Sequence, residues 1–83
     1  MLVKEVSDLK PIVEKAIKGN YGEDVANIKV TQATKGPMFG IERSWSVWAE
    51  FEDKSNKYSV NLGVEIATGL VDRFSERGRQ LLE

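Results

Sequence analysis

Cysteine and histidine are both missing from this chain. Without cysteine there is no disulfide, no thiolate zinc site and no thiol nucleophile. Without histidine the commonest general base, the commonest metal ligand and every serine-histidine arrangement are gone as well. Apolar runs extend only a few residues, and Met1-Leu2-Val3-Lys4-Glu5 has neither a basic leader nor a long apolar segment. No membrane span and no secretion signal is therefore expected, and the default reading is a soluble, cytoplasmic protein. An excess of one charge is also lacking, since 12 basic residues face 13 acidic ones for a formal net charge of -1. That balance gives no general attraction to nucleic acid or to an anionic membrane, and neither is expected as a partner. No phosphate loop, dinucleotide fingerprint, calcium loop or zinc spacing occurs, so no metal and no cofactor is expected.

What is present is a strong strand pattern. In the stretch Ile41 to Glu52 the odd positions are mostly apolar and the even ones mostly polar, and Tyr58 to Ile66 alternates as clearly. With Asp53-Lys54-Ser55-Asn56 as a turn, Phe51 faces Tyr58, Ala49 faces Val60, Val47 faces Leu62 and Trp45 faces Val64. One register satisfies every inward pair, and a slip of one residue would turn the apolar set outward. The same register sets Glu52 beside Lys57 on the other face.

Leu9, Ile12, Val13, Ala16 and Ile17 follow helical spacing, with Asp8, Lys10, Glu14, Lys15 and Lys18 opposite. The spacing predicts a helix over residues 8–18, capped by Ser7 or Asp8, with Pro11 in its first turn and Gly19-Asn20 as its stop. Ile28 and Val30 mark a strand over residues 25–34, with 35–40 as a loop, so that Val30 opposes Trp45, Ile28 opposes Val47, Gln32 opposes Arg43 and Thr34 opposes Ile41. Thr68-Gly69 turns the chain into a last strand over 70–74, where inward Leu70 and Phe74 also turn Asp72 inward unless a bulge intervenes. Residues 75–83 read as a tail that frays or docks as a short turn. The whole is one domain, 1–83, with strands over 25–34, 41–52, 58–66 and 70–74: an α+β fold with one N-terminal helix on a four-stranded antiparallel meander sheet.

The order of elements, with Trp45-Ser46-Val47, Ala49-Glu50-Phe51-Glu52, Tyr58-Ser59-Val60-Asn61-Leu62 and Thr68-Gly69-Leu70-Val71, resembles the PepSY-type module and its closing Y-x-V-x-hydrophobic to T-G-x-V hairpin. It also resembles the gas-vesicle protein GvpO family, whose arginine-proline stretch is replaced here by Asp53-Lys54-Ser55-Asn56. Both resemblances cover roughly residues 9–79 and imply a cystatin-like arrangement of helix and curved sheet. Gln32-Ala33-Thr34-Lys35-Gly36 is similar to the Q-x-V-x-G protease-binding loop of the cystatins, but the proline-tryptophan pair of their second hairpin is absent.

Candidate functional residues follow from groups without an evident core position. Met38 and Phe39 lie in a glycine-flanked loop, either as anchors of a partner contact or as a lid over the core. Trp48 falls on the face opposite the helix, either as an interface anchor or as a cover for Gly63. Gln32, Arg43 and Ile66 mark a polar end of the buried face, where a small ligand would sit between helix and sheet. Arg43, Arg73, Arg77 and Arg79 read as solvated salt pairs before they read as an anion site, and Glu50 and Glu52 as solvated strand residues. The function expected is a non-enzymatic interaction module that binds a protein partner or pairs with itself through the outer sheet face or the 36–40 loop. The alternatives are a small-ligand carrier and, further off, a gas-vesicle accessory or protease-inhibitor-like role.

Overall fold

The computed structural model describes Val3, residues 5–38 and residues 41–82, the side chains of residues 37, 38, 41 and 42 excepted. One helix packs on an antiparallel sheet: α1 (Val6–Tyr21), β1 (Ala26–Met38), β2 (Ile41–Glu52), β3 (Asn56–Glu65) and β4 (Val71–Leu81), with the strands side by side in chain order. This is the α+β meander that the alternation predicts.

The helix is longer at both ends than its apolar spacing indicates. Glu5, in extended conformation, is the N-cap, its N–H donating to the Asp8 carboxylate at 3.1 Å while Asp8 N–H donates to the Glu5 carbonyl at 3.0 Å. Asp8 thus stabilises the start from inside the first turn, and neither it nor Ser7 is the cap. Pro11 falls inside the helix, where a missing donor and a ring clash cost about 3 kcal/mol. Burial of Leu9, Val13 and Ile17, each fully covered, offsets that cost. The stop is Gly22 at φ +99°, whose N–H reaches the Lys18 carbonyl at 2.9 Å, so Gly19 and Asn20 stay helical. The extra turn keeps Tyr21 on the helix and over the sheet.

The β2–β3 register is the one the inward pairs demand, with Phe51 opposite Tyr58, Ala49 opposite Val60, Val47 opposite Leu62 and Trp45 opposite Val64. Asp53 shapes the turn, its Oδ1 accepting from the N–H groups of Ser55 and Asn56, both at 2.8 Å. Phe51, Val47, Ala49, Val60, Leu62 and Val64 are fully buried under α1. Val3 closes one end of this layer, donating to the Ile66 carbonyl at 2.7 Å and accepting from Trp45 Nε1 at 3.3 Å. On the outer face Glu52 lies opposite Lys57, but the lysine Nζ reaches Glu50 instead, at 3.7 Å.

Two edge strands depart from expectation. β1 continues to Met38 where a loop over 35–40 is expected, because Gly36 and Pro37 are tolerated at a sheet edge that asks for few of their ladder bonds. Its register moves accordingly: Val30 lies opposite Ala49, Gln32 opposite Trp48, Ala33 opposite Val47 and Thr34 opposite Ser46, while Ile28 sits in a bulge between Ala26 and Lys29. Beside it Asn27 adopts φ +55° and donates to Glu52 at 2.7 Å. β4 spans Val71–Leu81 and not only 70–74, and most of the expected tail is strand, paired from Val64–Val71 to Asn56–Leu81. Its two bulges fall at Asp72 and Arg77. The first resolves the inward Asp72, whose carboxylate instead lies against Gly63, where a Cβ would meet it.

Candidate functional site

Between α1 and β4 the two layers do not close. The open groove there, about 750 Å³, is walled on the helix side by Ile12, Lys15, Ala16 and Gly19 and on the sheet side by Leu70, Val71 and Phe74. The helix stripe carries five apolar residues but buries only three completely, so the Ile12 and Ala16 flank remains for this gap. Opposite it, the β3–β4 turn is tightly made. Gly69, at φ +76°, donates to the Glu65 carbonyl at 2.9 Å, and Thr68 Oγ1 donates to the Glu65 carboxylate at 2.6 Å and accepts from Leu70 N–H at 3.2 Å. A turn held this way fixes Leu70 and Val71 at the groove mouth, although they are 64% and 36% exposed. Such exposed aliphatic groups beside an unfilled gap are the kind of surface that partner contacts use.

Phe74, on the sheet wall of the groove, belongs to an aromatic and charged cluster. The Tyr21 ring lies 4.7 Å from Phe51, 5.1 Å from Tyr58 and 6.1 Å from Phe74, and Phe51 stacks on Tyr58 at 4.9 Å. Tyr21 donates its hydroxyl to Glu76 at 2.7 Å, and Arg79 pairs with the same carboxylate oxygen at 3.2 Å while its guanidinium sits 5.1 Å over Tyr58. Tyr58 in turn donates to Asp53 at 2.5 Å. Burial first, and then the bond to Glu76, push the Tyr21 phenol up to about 12. The donating Tyr21 hydroxyl, followed by Arg79, holds Glu76 below the usual carboxylate range, and the Tyr58 hydroxyl does the same for Asp53. Tyr58 is raised by Asp53, and Arg79 by Glu76. The Tyr21–Glu76 bond, with Arg79 on the same carboxylate, clamps α1 to β4.

The residues singled out in the sequence are dispersed. Trp48 is half-buried on the outer face beside Asn61, with the Arg77 guanidinium 5.9 Å over its ring, while Gly63 is covered by Asp72. Asn61, only 9% exposed, donates to Ser46 Oγ at 3.3 Å and to the Val47 carbonyl at 3.1 Å, and accepts from Arg73 at 3.1 Å. Arg77 and Arg73 thus lie over Trp48 and Asn61 on this face. Arg43 and Ile66 are neighbours through a backbone bond of 3.0 Å, with Ile66 half-buried against the core. Gln32 stands apart from them, opposite Trp48 on β1 and exposed. Val3 lies beside Ile66, its N–H donating to the Ile66 carbonyl. Met38 by its side chain and Phe39 entirely lie outside the described residues. The arginines of β4 do not converge, since Arg73 and Arg77 serve the outer face and Arg79 the inner one.

Ile12, Ala16, Leu70 and Phe74 were visible in the sequence only as core positions. The clue to the groove is the mismatch between a five-residue apolar stripe and a last strand whose inward positions include Glu76 and Arg79. No family model matches this chain, and no curated protein and no solved structure is found to be similar to it. Among the described residues no helix is long and apolar enough to cross a membrane.

Proposed function

We propose that this protein is a non-enzymatic interaction module that holds an apolar segment of a protein partner in the groove between α1 and β4. The observation that carries the reading is the pairing of an unfilled groove with exposed Leu70 and Val71 on a turn whose hydrogen bonds keep them there. The absence of cysteine and histidine, and tyrosines and carboxylates held firmly in their ordinary charge states, support binding over catalysis. The groove favours a polypeptide over a small ligand because it is open along its length, whereas small-ligand sites bury most of their occupant. The outer face is the weaker surface because Arg77 already covers Trp48.

The test is a titration of isotope-labelled protein with capped apolar peptides, read by amide chemical shifts. Shifts centred on Ile12, Ala16, Leu70 and Phe74, abolished by Leu70→Asp without loss of thermal stability, support the reading. Shifts centred on Trp48 and Asn61, or none with any peptide, refute it.

A further inference from the structure

Resting on the groove reading, the geometry points to the form of the bound segment: a short extended strand with acidic flanks, added to the free edge of β4 between its two bulges. β4 is the last strand of the sheet, and among the described residues no strand pairs with its second edge. Its first part, through Phe74, is also one wall of the groove. An extended segment lying along it would therefore satisfy its backbone on β4 while alternate side chains enter the space beside Ile12, Ala16 and Phe74.

The bulges set the length. Arg73, Phe74, Ser75 and Glu76 pair without interruption with Gly63, Leu62, Asn61 and Val60, and the ladder breaks on either side, at Asp72 and at Arg77. Alternate residues of a strand direct their backbone groups to the same edge, so two of these four offer an N–H and a C=O to an added strand. A long second strand cannot stay in register across both breaks, which disfavours continuous pairing of β4 with β4 of a second copy and leaves room for a short peptide.

Charge sets the flanks. Of the charged residues lining the groove, Lys15 on the helix rim and Arg73 on β4 outnumber Asp72, whose carboxylate lies against Gly63. A segment with glutamate at each end meets this edge better than one with lysine, through both encounter rate and end contacts. The apolar centre is set by the groove walls, where Ala16 and Gly19 leave space for aliphatic or aromatic side chains.

The experiment uses the full chain and a set of capped hexapeptides with valine, isoleucine or phenylalanine at alternate central positions and glutamate at both ends. Each is compared with a lysine-ended version and with a version N-methylated at the central amides. Binding of the glutamate peptide should shift the groove residues and slow amide exchange within Arg73–Glu76. N-methylation should weaken it by about tenfold or more, as loss of two backbone bonds implies. Should the N-methylated peptide bind equally well at the groove, strand addition is wrong and groove binding stands. Equal affinity for the lysine-ended peptide would remove the acidic flank from the proposal. No binding by any version, or concentration-dependent doubling of mass with the same groove shifts in the protein alone, overturns both the inference and the partner reading on which it rests.

Discussion

Replacing Tyr21 by phenylalanine isolates the clamp between helix and edge strand. The ring contacts with Phe51, Tyr58 and Phe74 persist, and only the 2.7 Å bond to Glu76 is lost. A bond to a carboxylate contributes about 1.5–3 kcal/mol when well buried. The Glu76 side chain keeps 33% exposure, so solvent screening reduces the expected loss to about 1 kcal/mol. For a domain of this size that is a fall in Tm of about 4–8 °C at neutral pH. The pH dependence makes the prediction sharper. Glu76 is lowered in the folded state, so its share is present above the ordinary glutamate range, about 4.3, and is lost as pH falls through its folded value. Tyr21 is raised to about 12, so its share is present below the ordinary tyrosine value, about 10, and is lost as pH rises through 12. The Tm gap between wild type and Tyr21→Phe should therefore be flat from about pH 5 to 9 and close at both extremes. Thermal melts by circular dichroism across pH read it directly. A gap that is absent at pH 7, or unchanged in acid, would show that the clamp does not hold the helix.

Two further perturbations probe the same packing. Leu9→Ala removes a fully buried side chain from the helix stripe and should cost about 2–5 kcal/mol in urea unfolding; a cost well below that range would mean that α1 is not firmly docked. Gly63→Ala places a Cβ against the Asp72 carboxylate and 3.4 Å from Arg73 Cβ, and should cost about 1–2 kcal/mol, less in an Asp72→Ala background. Equal costs in the two backgrounds would show that the Asp72 bulge is not what requires glycine.

The central hairpin was legible because its inward pairs agree with one another: every odd position of β2 from Trp45 to Phe51 meets an apolar partner on β3. The edge strands were harder to read, for physical reasons. On β1 the signals for a loop, Gly36 and Pro37, are tolerated within an edge strand, and three breaks in the ladder carry the register away from simple alternation. On β4 the inward positions after Phe74 are Glu76 and Arg79, which find partners in Tyr21 and Tyr58. Those partners lie far away in sequence, so no local pattern announces a strand. Helix bounds slipped for a related reason, because a cap made by Glu5 with Asp8, and a stop at Gly22, lie outside the apolar stripe used to find the helix.

The features that hid β4 also explain why a groove exists beside it. A sheet whose last strand turns only Val71 and Phe74 inward before its charged half has little apolar surface to draw a helix toward that edge. On the other side β1 offers Ile28, Val30 and Ala33, and the buried core is centred on β2 and β3. α1 therefore settles nearer β1, and Ile12 and Ala16 face a gap that β4 does not fill. Tyr21 joins the two layers through its bond to Glu76. At the groove mouth lies the Glu65–Thr68–Leu70 turn, and this is where the exposed leucine stands. On the proposed reading a chain segment would enter the groove from the turn side, where Leu70 is exposed.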